Sequence, residues 1–226
     1  MPSFRVNTSR PEFNRFDAIG TDSAELHFIG HVGLAASAGS QDVTGVSALD
    51  MGPPLHGHSS ANHMKCDVVG SAQLTDDEVQ KIRTFIDRHS NEHELFLQLS
   101  TTQILRMAPQ MYCVLPHTSP IHEDDGRYTR TRFSCVGFVL EAYKSARITL
   151  LNLDELPLID MTVIAAAYPP TRLIERGQIS ADDLGLAGDG PWPVLLCGFL
   201  FHSLNRDANV IRQEPYAPTI SDRHFH

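Results

Sequence analysis

The chain has 226 residues, 42% hydrophobic and 20% charged, a length and balance that suit one domain with a sizeable core and exclude wholesale disorder. Its net charge is −9 and no dense run of Lys and Arg interrupts it, which speaks against a nucleic-acid partner, because phosphate contacts need a basic face. No run of about 18 apolar residues occurs and the amino-terminal residues hold no apolar signal core, so the expectation is a non-exported, cytoplasmic protein without a transmembrane segment.

In chain order, residues 1–24 carry Pro2, Pro11 and Gly20 and predict an irregular lead-in. "ELHFIGHVGLAAS" (Glu25 to Ser37) is apolar between turn formers and predicts a buried strand. "SAGSQD" turns the chain, and "VTGVSALDM" reads as the second arm of a hairpin. Gly52 to His63 form a loop by composition, and "KCDVVGSAQL" a short strand. Thr75 and Glu78 make a capping box, with Asp76 and Asp77 also suited to a positive helix end. Val79, Ile82, Phe85 and Ile86 continue that helix to about Arg88. "HELFLQLSTTQILRM" reads as a second helical piece ending before Pro109, and "QMYCVLP" as a strand. "HTSPIHEDDGRYTRTRF" reads as a polar loop. From Cys135, the residues Val136, Val139, Leu140, Tyr143 and Ala146 repeat at helical spacing for about three turns. The following segment holds five prolines up to Pro193 and short helical pieces. Val194 to Leu204 reads as a buried strand or a docking helix, and residues 205–226 as a loosely held polar tail. No repeat or linker divides the chain, so residues 1–226 read as one domain.

The four cysteines (Cys66, Cys113, Cys135, Cys197) are widely spaced and form no CxxC pair, which suits free thiols in a reducing compartment. Cys135 stands where a polar segment turns into a helix. A helix N-terminus favours negative charge, and a thiol there ionises more readily. Ser134 is placed as its N-cap, Gly137 allows close approach to the first turn, and the free N–H groups of that turn suit an oxyanion. The alternative is a small buried hydrophobe. A nucleophilic thiol needs a base, and His31 in "IGHVGLA" offers one from an apolar strand; a hydrogen-bonded core histidine is the competing reading.

"HVGLA" and "FSCVGFVLEAY" resemble the histidine-strand and nucleophile motifs of the NlpC/P60 papain-like cysteine hydrolases. Because His31 precedes Cys135, the order resembles their circularly permuted branch, with its YiiX-like and lecithin:retinol acyltransferase groups. The resemblance covers these two motifs and their order. It implies a papain-like α+β fold, with an antiparallel sheet packed on the nucleophile helix, and a thiol hydrolase with Cys135 as nucleophile and His31 as base. The substrate would be a peptide, another amide or a lipid ester, with neither metal nor organic cofactor. Family members carry a polar residue on the strand after the histidine to orient it; here Asp50 is the candidate, with Ser47 and His56 behind it. Tyr128 could donate to the oxyanion.

Two other functions stay open. "HGHSSANHMKC" gathers His56, His58, His63 and Cys66, enough donors for a tetrahedral zinc site, at a spacing that matches no standard zinc module. A catalytically inactive papain-like domain used for binding is the other. Cys113 and Cys197 read as core, Trp192 as packing a proline-flanked loop or lining a pocket, and the acidic strip Glu123 to Asp125 as a solvated turn.

Overall fold

The structure is a computed structural model, and it describes residues 4–6, 14–23, 28–36, 48–51, 55–58, 68–90, 113–114, 118–122, 129–160, 163, 188 and 190–223. Within these residues the fold is mixed α+β. Six strands make the main sheet: β1 (Phe4–Val6), β2 (Ala18–Ser23), β3 (Phe28–Ala35), β4 (Ala48–Met51), β5 (Leu55–His58) and β6 (Val68–Gly70). Their order is β1-β6-β2-β3-β4-β5, with antiparallel neighbours throughout. The predicted hairpin of the histidine strand with residues 48–51 is therefore present, as β3 with β4.

β3 sits inside this sheet, and Ile29, Val32, Leu34 and Ala35 are all buried. A strand covered on both faces reads as a continuous apolar run rather than an alternating one, which is why "FIGHVGLA" looks apolar throughout. The register of β2 against β3 shifts between Thr21 and Asp22: Thr21 faces His31, whereas Asp22 faces Ile29. Gly30 is thus the extra residue of a bulge directly before His31. Bulges re-aim the neighbouring side chain and increase local twist.

Helix α1 (Asp76–Ser90) begins at the predicted capping box, with Thr75 N–H donating to Glu78 Oε2 at 2.7 Å and Glu78 N–H to Thr75 Oγ1 at 3.4 Å. A short β7 (Cys113–Val114) follows, then a two-stranded hairpin of β8 (Thr118–His122) and β9 (Thr129–Phe133). Only Ser134 separates β9 from α2 (Cys135–Ser145), so the strand aims straight at the cysteine. α2 packs on β3 and on α1, burying Phe138 and Tyr143 completely. The Tyr143 hydroxyl donates to the Phe16 carbonyl at 2.9 Å and fixes the helix to the turn before β2. Burial pushes the Tyr143 phenol well up.

β10 (Leu158–Ile159) and β7 flank β11 (Trp192–Leu195) in a three-stranded sheet. After Leu196 the chain becomes α3 (Cys197–Leu204), which lies against the main sheet. A Cβ on Gly20 would stand 2.8 Å from the Phe201 ring, and one on Gly70 2.8 Å from Leu204, so both strands carry glycine where α3 approaches them. α4 (Ala208–Gln213) and a 3-10 turn (Ile220–Arg223) close the described chain.

Several sequence expectations change. The lead-in over residues 1–24 contains β1 and β2, and β2 is the direct neighbour of the histidine strand. The polar stretch before Cys135 is largely a hairpin: "TRTRF" alternates in the strand period, with one β-branched Thr in each pair. The tail from Asn205 is anchored through 223. Arg212 donates twice to Glu78, at 2.9 and 2.7 Å, and also to the carbonyls of Ala72, Gln73 and Ala208. Asp222 accepts from Tyr216 Oη, Thr219 N–H and Thr219 Oγ1. Val194 to Leu204 is both of the expected things in succession, strand and then helix. The predicted second helical piece before Pro109 lies outside the described residues.

Candidate active site

α2 starts at Cys135 because Ser134 caps it. Ser134 is extended (φ −75°, ψ 167°), its backbone carbonyl accepts from Phe138, and its hydroxyl accepts from Gly137 N–H at 2.9 Å. Those bonds occupy two donors of the first turn, so the N–H groups of Cys135 and Val136 are the ones left to face an incoming oxygen. The first turn carries no acidic residue. The positive helix end therefore acts on the thiol rather than on a carboxylate.

Cys135 is half-buried and Cys197 is buried, and neither is in a disulfide. Their sulfurs lie 3.8 Å apart, within hydrogen-bonding contact for a thiol pair. The Cys135 thiol is held well below the ordinary thiol range. Its hydrogen bond with Cys197 acts most strongly, burial opposes it, and the hydrogen bond and positive charge of His31 come next, followed by the Val32 backbone N–H. Cys135 and His31, separated widely in sequence, thus meet as hydrogen-bond partners at the junction of α2 and β3. Three donors converge on one sulfur, which is the arrangement that stabilises a thiolate.

The remaining predicted residues divide by position. Asp50 stands opposite Gly33 in the β3–β4 register. Strand alternation places positions 31, 33 and 50 on one side of the sheet, with Asp50 diagonal to His31. His56 stands opposite Asp50 on β5, so two of the three residues named for orienting the histidine are neighbours in register. Ser134 is present as the cap. Tyr128, Ser47, His63 and Cys66 lie outside the described residues. His56 and His58 fall on β5, a strand rather than the loop predicted for residues 52–63. Among the described residues no three His, Cys, Asp or Glu gather as a metal-binding group.

Two contributors were not found in the sequence. Val32 acts through its backbone N–H, which every residue carries, so composition cannot single it out. Cys197 reads as core, and it is core, but it also begins a helix and brings its sulfur to 3.8 Å from that of Cys135. The only local signal is a likeness between "CVGF" at Cys135 and "CGF" at Cys197: each opens a helix with a cysteine, a nearby glycine and a phenylalanine.

No helix among the described residues is long and apolar enough to cross a membrane. In comparisons with family models, curated proteins and solved structures, nothing matches this chain.

Proposed function

We propose that the protein is a thiol hydrolase that cleaves an amide bond, in a peptide or related substrate, through a Cys135–His31 pair. The observation that carries this reading is the convergence of His31, Val32 N–H and the α2 N-terminus on the Cys135 sulfur, with the thiol held well below its ordinary range. In this mechanism the thiolate attacks the carbonyl carbon, and the carbonyl electron pair moves onto oxygen. The N–H groups of Cys135 and Val136 receive that oxyanion. His31, carrying the proton, gives it to the leaving nitrogen as the carbon–nitrogen bond breaks. It then accepts a proton from water, which attacks the thioester and releases the acid. Asp50, with His56 next to it in register, is the residue we assign to orienting His31. The arrangement supports a permuted papain-like architecture with the histidine strand ahead of the nucleophile helix. Two thiols this close without a bridge fit a reducing location such as the cytoplasm.

The test is the alkylation rate of each cysteine by iodoacetamide against pH, read by mass spectrometry, in wild type and His31→Ala. Cys135 is expected to react fast well below pH 7, and the variant to slow about tenfold or more there as the thiol moves back toward about 8.5. A Cys135 that titrates like an ordinary thiol in wild type sinks the reading.

A further inference from the structure

We propose that Cys135 and Cys197 are a reversible dithiol–disulfide modification site, in which a peroxide oxidises Cys135, Cys197 resolves it, and the closed bridge silences the nucleophile. The inference rests on the reading above only in taking Cys135 as the reactive thiolate.

Three observations carry it. The two sulfurs are 3.8 Å apart across 62 residues of chain, so they have to close by about 1.8 Å to reach the ~2.05 Å of a disulfide. Each sulfur belongs to the first residue of a helix, Cys135 of α2 and Cys197 of α3, and each follows an extended residue, Ser134 or Leu196. Both thiols therefore sit on the first residue of a helix, with their sulfurs already in contact. Their exposures also differ in a useful way: Cys135 is half-buried and Cys197 is 0% exposed. In the proposed switch the residue with some exposure is the one the oxidant meets first and the fully buried one is the resolving thiol. The lowered ionisation of Cys135 acts in the same sense, because the thiolate is the species that attacks a peroxide.

The chemistry balances. The Cys135 thiolate attacks one oxygen of the peroxide, forming a sulfur–oxygen bond as the oxygen–oxygen bond breaks; the leaving hydroxide or alkoxide takes a proton and departs as water or alcohol. Sulfur is oxidised by two electrons and the peroxide is reduced by two. Cys197 then gives up its proton and attacks the Cys135 sulfur, forming the disulfide as the sulfenic hydroxyl leaves as water. An external dithiol reverses the step by thiol–disulfide exchange.

The experiment treats the reduced full-length protein with hydrogen peroxide, blocks remaining thiols and maps peptides without reduction. Expected is a chain lighter by two hydrogens, with a cross-linked peptide joining Cys135 to Cys197, and recovery of Cys135 alkylation after dithiothreitol. In Cys197→Ser a sulfenic acid trapped by dimedone is expected on Cys135, with sulfinic acid building up about tenfold faster than in wild type. The wild-type map decides the matter even where that variant folds poorly. Sulfinic acid on Cys135 with no Cys135–Cys197 peptide, or a bridge to Cys66 or Cys113 instead, overturns the proposal. Fast alkylation of Cys135 below neutral pH without the bridge sinks the switch and leaves the hydrolase reading standing. A bridge in a protein whose Cys135 alkylation ignores His31→Ala sinks the hydrolase reading and leaves the switch.

Discussion

The starts of α1 and α2 are built alike and used differently. In each a hydroxyl caps the helix by accepting from the N–H three residues on: Thr75 Oγ1 from Glu78 at 3.4 Å, and Ser134 Oγ from Gly137 at 2.9 Å. α1 then fills its first turn with Asp76, Asp77 and Glu78, while α2 has no acid there. Carboxylates at α1 use the positive helix end for stability, and Glu78 extends it into a two-bond contact with Arg212 that ties the tail to the body. At α2 the same field is left for a sulfur. Under the proposed function the difference separates a structural helix end from a chemical one: the first is saturated by its own sequence, and the second carries no acid and holds Cys135.

The comparison breaks most visibly at Arg212. Arg212→Met removes both bonds to Glu78 and three to backbone carbonyls, leaving a half-buried carboxylate without its cation. A loss of about 2–3 kcal/mol is expected, read as a lower urea midpoint, with the pH profile of Cys135 alkylation unchanged. A shift of that profile would mean that the structural end and the chemical end are coupled. Next comes Ser134→Ala, with an expected cost of about 1–2 kcal/mol from the lost cap. Its alkylation profile should not move to higher pH, because the cap hydroxyl bonds the Gly137 N–H and not the sulfur. Slower alkylation at pH 6 would show that the cap orients the thiol as well as the helix. Thr75→Ala is milder, at about 0.5–1 kcal/mol, since the Thr75 hydroxyl is exposed and its bond is longer.

What could be read in the sequence follows the same division. Both helix starts were legible, because capping is a local pattern of one hydroxyl and its third neighbour. The histidine strand was legible from its apolar run. β2 was not: "AIGTDS" has few apolar residues, and its place beside β3 depends on pairing across the sheet. The start of α3 was hidden because "VLLCGFL" is apolar on both sides of the strand–helix boundary and Leu196 gives no side-chain cap bond. Periodicity cannot divide such a run. Arg212 looked like one more charge in a polar tail, since its partners outside its own helix are more than 130 residues away. The candidate site was proposed from two motifs; the meeting of Cys135 with Cys197 was not legible, because it exists only in three dimensions.

The last comparison is also the sharpest, since it asks in which pH range each helix end holds its charge. The Arg212 hydrogen bond, acting against burial, holds the Glu78 carboxyl below the usual carboxylate range. A carboxyl depressed by folding stabilises the protein fully above its unfolded value, about 4.3, and loses that contribution as pH falls through the lower folded value. Glu78→Gln keeps the shape and removes the charge. The stability difference between wild type and this variant is expected to be about 1 kcal/mol at neutral pH, constant down to about pH 5, and to shrink only below about pH 4. Urea unfolding at a series of pH values measures it. A difference that decays between pH 7 and 5 would mean that Arg212 does not hold Glu78 in its ionised form, and the contrast with α2 would lose one side. If the decay falls below pH 4 while Cys135 alkylation responds closer to neutrality, the two helix ends carry their charges in separate pH windows, as a structural anion and a reactive one should.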